Sequence, residues 1–389
     1  MIYIFISLII SLILYHIIIY MRFSNFRQCL LLLLSYLSGT KNVVFINNIE
    51  DILLCEKVLK NSDKKGYGIE YHLSMSAWEP IYNIESIDGE KWKCVRKYFH
   101  MIASKIDISK LTQLSHQYTF EMIKYQKNIT SKDISKLICK IFWSTIFNER
   151  IALDDLETLY KGSIEWRKEL AIKGKGDYII KEKCVNIIDN QLLGNVDIDE
   201  YNQYRKEIIS SILQPFFISP MINYSDIFVT IYNYRKYFHP NGFDEINAEN
   251  FIMECIRLKH PFPILERMIT TSFFHDNMKY TVGTQVYIEL DRFKQDKTFN
   301  PNRWNIYNNP YKIIPFGIGY RRCLGKNFAL KSIIPMLIEL SKSDEFLNID
   351  PKIEHLYSGR DNDNKMSLSE IIYFTTTIFQ KLYHCEIHE

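Results

Sequence analysis

The sequence predicts a mainly α-helical protein with a small β region, placed behind an apolar N-terminal helix. Apolar residues recur with mainly helical spacing from Lys91 to about Arg235. Alternating residues on both sides of a glycine indicate strands between Met278 and Leu290. An almost wholly apolar run fills residues 1–20, and the chain of 389 residues is long enough to bury a large core.

The apolar run at residues 1–20 predicts a transmembrane anchor, because twenty helical residues span about 30 Å, the thickness of a bilayer's hydrocarbon core. No basic residue precedes the run and no small-residue cleavage site is evident, which argues against a cleaved signal peptide. Arg22 and Arg27 follow it, so the positive-inside rule places the remaining chain in the cytosol. Residues 21–41 are then a juxtamembrane segment, whose short apolar run is either an interfacial helix or the first core helix.

Residues 42–389 are predicted to form one domain, since no internal repeat or low-complexity linker divides them. Its expected elements, in chain order, are a strand at 42–48, a helix at 49–59, helices from 91 to 235 with breaks near 128, 173–175 and 194–199, a hairpin at 278–290 around Gly283, and a helix at 325–341.

The charge pattern argues against a nucleic-acid-binding protein. The formal net charge is only +3, and the lysines and arginines are scattered rather than gathered into a basic stripe. None of the eight cysteines forms a Cys-x-x-Cys pair, and their spacing indicates neither a disulfide framework nor a zinc site. This usage fits a reducing compartment.

One cysteine stands out by its surroundings. The segment 316–325 reads Phe-Gly-Ile-Gly-Tyr-Arg-Arg-Cys-Leu-Gly and places Cys323 behind a glycine-rich turn, beside arginines, at the start of a predicted helix. A helix N-terminus and positive charge are expected to lower the pKa of a thiol, and the glycines Gly319 and Gly325 let backbone N–H groups approach the sulfur. These features favour a thiolate that ligates a metal over a buried core cysteine.

The complete pattern Phe-x-x-Gly-x-Arg-x-Cys-x-Gly, followed by Phe328-Ala329, resembles the haem-thiolate loop of the cytochrome P450 family. The resemblance implies a P450-type fold and a haem b cofactor whose iron has Cys323 as its axial ligand. It also implies that Phe316 shields the sulfur. The helix after Cys323 departs from the family at Ser332, where many members have a glutamate.

Two further motifs are similar to those of the family. Glu254 and Arg257 share one face of a predicted helix, and Arg303 follows on a turn-rich loop. The resemblance assigns these three residues to a buried structural triad. An isolated Glu-x-x-Arg would otherwise be a solvated ion pair.

The resemblance also suggests residues for the haem propionates. Trp92 and Arg96 match the family's Trp-x-x-x-Arg and share a helix face. Arg321 in the cysteine loop and Arg267 after Pro263 are further candidates. Arginine suits this role because its fixed fork of donors pairs with a buried carboxylate.

The sequence departs from the family pattern at the residues expected to activate oxygen. Family monooxygenases usually carry an acid and a threonine in a central helix, which is expected here at residues 208–232. One alignment puts Ser219 in the place of the threonine and the other puts Asn223 there, and no acid directly precedes either. Pro215 and Pro220 are expected to interrupt this helix, because each removes a backbone donor.

These observations leave three hypotheses. The first is a membrane-anchored haem-thiolate monooxygenase that acts on an apolar substrate, such as a lipid or sterol, with O₂. Its electrons would come from NADPH through a partner of the NADPH-cytochrome P450 reductase type, at a membrane resembling the endoplasmic reticulum. The missing acid favours the second, a haem-thiolate peroxygenase, isomerase or dehydratase. The chain, short for this family, and its interrupted helix favour the third, a non-catalytic haem-binding relic.

Overall fold

The computed structural model describes Gln28, Leu32, Ser35 and residues 42–64, 77–126, 129–170, 174–192, 198–238, 242–261, 264–290, 298–306, 309 and 315–343. Within these ranges the chain is mainly helical with a small sheet, which confirms the predicted class. The helices are α1 (Ile52–Lys60), α2 (Gly89–Ala103), α3 (Ile108–Tyr125), α4 (Ser131–Ile146), α5 (Leu153–Leu170), α6 (Tyr178–Leu192), α7 (Ile198–Ile212), α8 (Ser219–Asn233), α9 (Glu245–Leu258) and α10 (Lys326–Ser341). The strands are β1 (Val43–Ile46), β2 (Ser62–Asp63), β3 (Ile264–Ile269), β4 (Phe273–His275), β5 (Met278–Tyr280) and β6 (Gln285–Glu289).

Side-chain caps fix the starts of several helices. Thr130 and Asp133 form a capping box before α4, in which each side chain accepts a hydrogen bond from the other residue's backbone N–H. Asp107 accepts bonds from two backbone N–H groups at the start of α3, and Asp244 accepts one from Asn247 at the start of α9. Each cap satisfies donors that a helix start leaves open, and such caps typically contribute about 1 kcal/mol.

The main sheet has the strand order β1-β6-β3-β2. The strand β6 lies inside the sheet, parallel to β1 and antiparallel to β3, and all five of its residues are buried. A separate two-stranded sheet joins β4 to β5.

The predicted hairpin around Gly283 is wrong. The hairpin lies one strand earlier, where Asp276 and Asn277 join β4 to β5 with φ values of 47° and 62°. Positive φ at both residues is the conformation whose twist matches paired strands. Gly283, with φ of 85°, instead leads the chain from the hairpin into β6.

The central helix runs through α7 and α8 and is interrupted by a π-helical turn at Leu213–Ile218. Pro215 lies within this turn and Pro220 follows it in α8, and both lack the N–H group that an α-helix would use there. The interruption predicted from the two prolines is therefore a wide turn rather than a break. Packing of α8 on α4, of α7 on α2 and of α10 on α3 builds the core around it.

The N-terminal region is described only at three helical residues. Gln28 donates to the Glu289 carboxylate at 2.7 Å, and the buried Ser35 lies 2.9 Å from the Tyr287 hydroxyl. This part of the predicted juxtamembrane segment thus contacts β6. The predicted anchor at residues 1–20 lies outside the described residues, and none of the described helices is both long and apolar enough to cross a bilayer.

The structure brings Glu254, Arg257 and Arg303 together. Glu254 in α9 is fully buried, and its carboxylate accepts bonds from Arg257 at 2.8 and 2.9 Å and from Arg303 at 3.0 Å. The indole of Trp304 and the backbone N–H of Asn300 donate to the same carboxylate at 3.0 and 2.9 Å. This network joins α9 to the turn at Pro301–Asn305.

We expect Glu254→Gln to lower the free energy of unfolding by about 3–5 kcal/mol, because it leaves two arginines without their buried counter-charge. Urea unfolding of the full chain measures the change. Glu245→Gln on the same helix is the control, since that side chain is 68% exposed and its pair with Lys331 spans 3.7 Å. Equal midpoints for the two variants would contradict a structural role for the Glu254 network.

Candidate active site

The cysteine loop is folded by glycine and by a backbone contact. Gly317 and Gly319 have φ values of 63° and 77°, which L-residues with side chains rarely adopt. A Cβ atom on Gly319 would lie 2.3 Å from the carbonyl oxygen of Leu59, so only glycine lets the loop pack against the end of α1. The Cys323 N–H donates to the Phe316 carbonyl at 2.9 Å and closes the loop.

The sulfur of Cys323 lies at the start of α10. The backbone N–H groups of Gly325 and Lys326 donate to it, and a Cβ atom on Gly325 would lie only 3.7 Å from it. The Cys323 side chain is nevertheless exposed to solvent, although protein atoms surround it on most sides. Cys323 is thus a solvent-accessible residue whose sulfur is crowded by protein atoms.

The expected lowering of the thiol pKa is wrong for the chain without iron. Burial raises the pKa of Cys323 to about 11, and the negative charge of Glu85 adds to this rise. The N–H groups of Gly325 and Lys326 lower the pKa, but by less than burial raises it. The sequence suggested help from the arginines, whereas the Arg321 guanidinium is directed to Asp63 and to the Ile87 carbonyl.

Trp92, Arg96 and Arg321 come together beside the cysteine loop. The guanidinium carbons of Arg96 and Arg321 lie 4.9 and 4.3 Å from the centre of the Trp92 ring. The Arg96 guanidinium also donates to the Tyr320 carbonyl at 3.3 Å. Burial, with the positive charges of Arg321 and Arg322 close by, lowers the pKa of Arg96.

One hydrogen-bond donor of the Arg321 guanidinium is unsatisfied in the described part of the chain. Its Nε atom pairs with Asp63 and its Nη1 atom donates to the Ile87 carbonyl at 3.0 Å, whereas its buried Nη2 atom has no partner in the described part of the chain. An unsatisfied buried donor within a group of positive charges fits an anionic ligand such as a carboxylate.

Arg267 lies on β3 next to Met268, which pairs with Asp63 of β2. Its buried guanidinium donates to the carbonyl of Glu266 at 2.7 Å, and its charge acts on Cys55 in α1. This placement is near the Asp63–Arg321 pair, and the role of Arg267 as a propionate ligand remains a prediction.

The wide turn of the central helix packs against the elements that carry the site. Phe216 stacks on Phe99 of α2, with ring centres 5.3 Å apart, and meets Phe328 of α10 edge-on at 5.7 Å. Ser219 and Asn223, one turn apart in α8, are half-buried and make no side-chain hydrogen bond to another described residue. Both hydroxyl and amide therefore remain available to a ligand.

Three functional candidates had no signal in the sequence: the segment 82–87, Glu85 within it, and Tyr224. Residues 82–87 bridge the central helix and the cysteine loop. Tyr82 N–H donates to Ser210, Ile84 N–H donates to Gln214 within the wide turn, both at 2.9 Å, and the Ile87 carbonyl accepts from Arg321. This bridge holds Glu85 within electrostatic reach of Cys323. The third candidate, Tyr224, contacts the helix behind the cysteine.

These residues fit a haem group. The fit rests on an accessible sulfur with two N–H donors, on the unsatisfied Arg321 donor, and on the positive charge around Trp92. A thiolate and a pair of carboxylates are the groups that such donors accommodate.

Comparison with known proteins agrees with this site. The family model described as "Cytochrome P450" matches residues 248–340, a range that includes Glu254, Arg257, Arg303 and Cys323. A "Putative cytochrome P450 137" of Mycobacterium tuberculosis is 24% identical over 136 residues, which are 30% of this chain and 29% of that protein. Over these segments the chain is similar to cytochrome P450 proteins. Cytochrome P450 709B1 of Arabidopsis thaliana is 30% identical over 115 residues, or 24% of this chain and 22% of the relative.

The matched segments thus span less than a third of these curated P450 relatives. Solved P450 structures share the fold over a longer stretch. CYP175A1 from Thermus thermophilus has a TM-score of 0.59 and 14% identity, over 77% of this chain and 81% of that chain. A variant of cytochrome P450 OleT in complex with arachidonic acid has a TM-score of 0.60 and 11% identity, over 77% and 79%.

The raised pKa of Cys323 predicts how its alkylation depends on pH. In the haem-free full chain the reactive thiolate forms only as the pH rises towards 11, so the rate should still climb above pH 9. The same chain unfolded in urea should level off near pH 9, the ordinary range of a thiol. Mass spectrometry of the peptide that contains Cys323 measures both rates. A plateau near pH 9 in the folded chain would contradict the raised pKa.

The arginines beside Trp92 provide a second prediction. We expect Arg321→Gln to weaken haem binding by about 10–100-fold, because a charge-assisted hydrogen bond to a carboxylate is lost. Arg322→Gln changes an exposed neighbour and should alter the affinity by less than about threefold. Titration of the haem-free chains with haem gives both affinities, and their melting temperatures show whether the folds are intact. Equal haem affinities of the folded Arg321→Gln and Arg322→Gln variants would show that Arg321 does not bind haem.

Proposed function

We propose that this chain is a haem-thiolate monooxygenase that oxidises an apolar substrate. The observation that carries the proposal is the accessible sulfur of Cys323, which has two backbone donors and lies beside an arginine–tryptophan group. The monooxygenase activity is inferred from this site and from similarity to P450 proteins, which covers less than a third of the length of the curated relatives.

Bound haem would supply the activation of oxygen, while the protein supplies the ligand, the orientation and a dry pocket. Cys323 would donate its thiolate, and the N–H groups of Gly325 and Lys326 would stabilise that negative charge. Arg96 and Arg321 would pair with carboxylates at the rim of the site. The ring of Phe316, beside the Lys326 ammonium at 5.8 Å, would shield the sulfur from water.

Ser219 and Asn223 are proposed as the binding residues of the central helix. Their unpaired side chains can donate a hydrogen bond to a polar atom of the bound substrate or to oxygen. The central helix places no acid directly before either residue, so Glu85, held against the wide turn, is proposed to supply the carboxylate.

The second candidate function is a haem-thiolate peroxygenase, isomerase or dehydratase, which needs no reductase. The same missing acid favours it. Among the structural neighbours, OleT was solved with arachidonic acid and CYP152N1 with myristic acid. A long-chain fatty acid is therefore the first substrate class to test for either function, with sterols and other lipids next. A non-catalytic haem-binding protein is the outcome if no turnover follows substrate binding.

The proposed setting is a membrane. Residues 1–20 would anchor the chain, and Arg22 and Arg27 would keep residues 42–389 in the cytosol. A reductase of the NADPH-cytochrome P450 type would deliver electrons from NADPH to the haem, as expected at the endoplasmic reticulum.

The carbon monoxide difference spectrum of the reduced full chain tests the proposal. We expect the red-shifted Soret band of thiolate ligation in the wild type and its loss in Cys323→Ser, with Cys94→Ser as the control for a partly buried cysteine outside the loop. Turnover of a fatty acid that requires reductase and NADPH would support the monooxygenase, and turnover with peroxide alone would support the second candidate. A wild-type band typical of a histidine or neutral ligand would reject both.

A further inference from the structure

We propose that Tyr224 is a positioning residue for Cys323 and that it acts through Ser332. The Tyr224 hydroxyl in α8 lies 3.1 Å from the Ser332 hydroxyl in α10. The two residues are 5% and 0% exposed, so water does not compete for this contact. The pair links the central helix directly to the helix that begins behind the cysteine.

The direction of the hydrogen bonds follows from the number of protons. Ser332 has one hydroxyl hydrogen, and its oxygen lies 2.7 Å from the Phe328 carbonyl and 3.1 Å from the Ala329 carbonyl. Its proton is therefore directed to these carbonyls, and its lone pairs accept the proton of Tyr224. The chain of donors runs from Tyr224 through Ser332 to the first turn of α10.

That turn also holds the sulfur. The N–H groups of Gly325 and Lys326 donate to Cys323, and the Gly325 carbonyl accepts from Ala329 N–H at 2.7 Å. The backbone around residues 325–329 is thus fixed by the sulfur on one side and by Ser332 on the other. A shift of this turn would move the two donors away from the sulfur.

The other end of the chain of donors lies in the aromatic packing of the central helix. Tyr224 follows Asn223 directly, and its ring packs edge-on against Phe142, with centres 6.5 Å apart. Phe142 in turn contacts Phe216 of the wide turn at 5.9 Å. Tyr224 consequently joins the packing of the wide turn to the first turn of α10, and it lies within electrostatic reach of Cys323.

Two tyrosine variants provide a matched test. Tyr224→Phe removes only the hydroxyl. Tyr118→Phe removes an equivalent hydroxyl from the Tyr118–Ser144 pair, which joins α3 to α4 at 3.0 Å. The inference rests on the proposed haem-thiolate function, so we use one readout without haem and one with it.

Without haem, the readout is the alkylation rate of Cys323 at pH 9 in the full chain. We expect Tyr224→Phe to lower the rate about threefold to tenfold, because the N–H donors that stabilise the thiolate move away from the sulfur, and Tyr118→Phe to leave the rate unchanged. Ser332→Ala should have a similar effect, and the double variant should add little, because both changes break one chain of donors. A rate equal to that of Tyr118→Phe would overturn the proposal.

With haem, the readout is the reduced carbon monoxide spectrum. Tyr224→Phe should show a mixture of the thiolate band and the band of a neutral ligand, while Tyr118→Phe keeps the wild-type spectrum. If Tyr224→Phe lowers the melting temperature but keeps the wild-type alkylation rate and spectrum, Tyr224 contributes only to packing and the proposal is wrong. Failure of the wild type to bind haem would reject the proposed function and leave the alkylation result intact.

Discussion

The fully buried carboxylate of Glu254 constrains where the cysteine loop can lie. A buried charge is tolerated only when donors surround it, and here four groups from two separate segments do so. One segment is α9, which continues into β3, and the other is the turn at Pro301–Asn305, which precedes the cysteine loop. The network thus fixes α9 and the turn at Pro301–Asn305 relative to each other.

Around Trp92 the protein must accommodate several positive charges rather than one buried negative charge. Arg96, Arg321 and Arg322 are near enough for their charges to act on one another, and the protein offsets them with Asp63 and with the π face of Trp92. The remaining positive charge is a cost to the folded chain when no anion is bound. The same charge becomes favourable when a carboxylate binds. The site therefore gains affinity for an anionic ligand, and the ligand-free chain loses folding stability.

Local features of the fold were readable from the sequence, whereas long-range ones were not. The cysteine loop could be found because glycine, arginine and cysteine sit close together in the chain, and the wide turn because proline removes backbone donors wherever it occurs. The hairpin was misplaced because Gly283 looked like a turn, while Asp276 and Asn277 adopt the positive φ values that a two-residue turn requires. The thiol pKa was misjudged because burial depends on how distant segments pack. Glu85 and Tyr224 reach the site from segments far from Cys323 in the chain, so no spacing could reveal them.

The π turn at Leu213–Ile218 also changes the direction in which side chains point from the two halves of the central helix. Each residue of an α-helix advances by about 100°, so one extra residue in a turn rotates everything beyond it by that amount. Ahead of the turn, Ser210 faces residues 82–84, and beyond it Tyr224 faces α10. Removing a single residue from this turn would rotate one of these two faces away from its partner. A helix of this kind tolerates substitutions along its length far better than it tolerates a change of length.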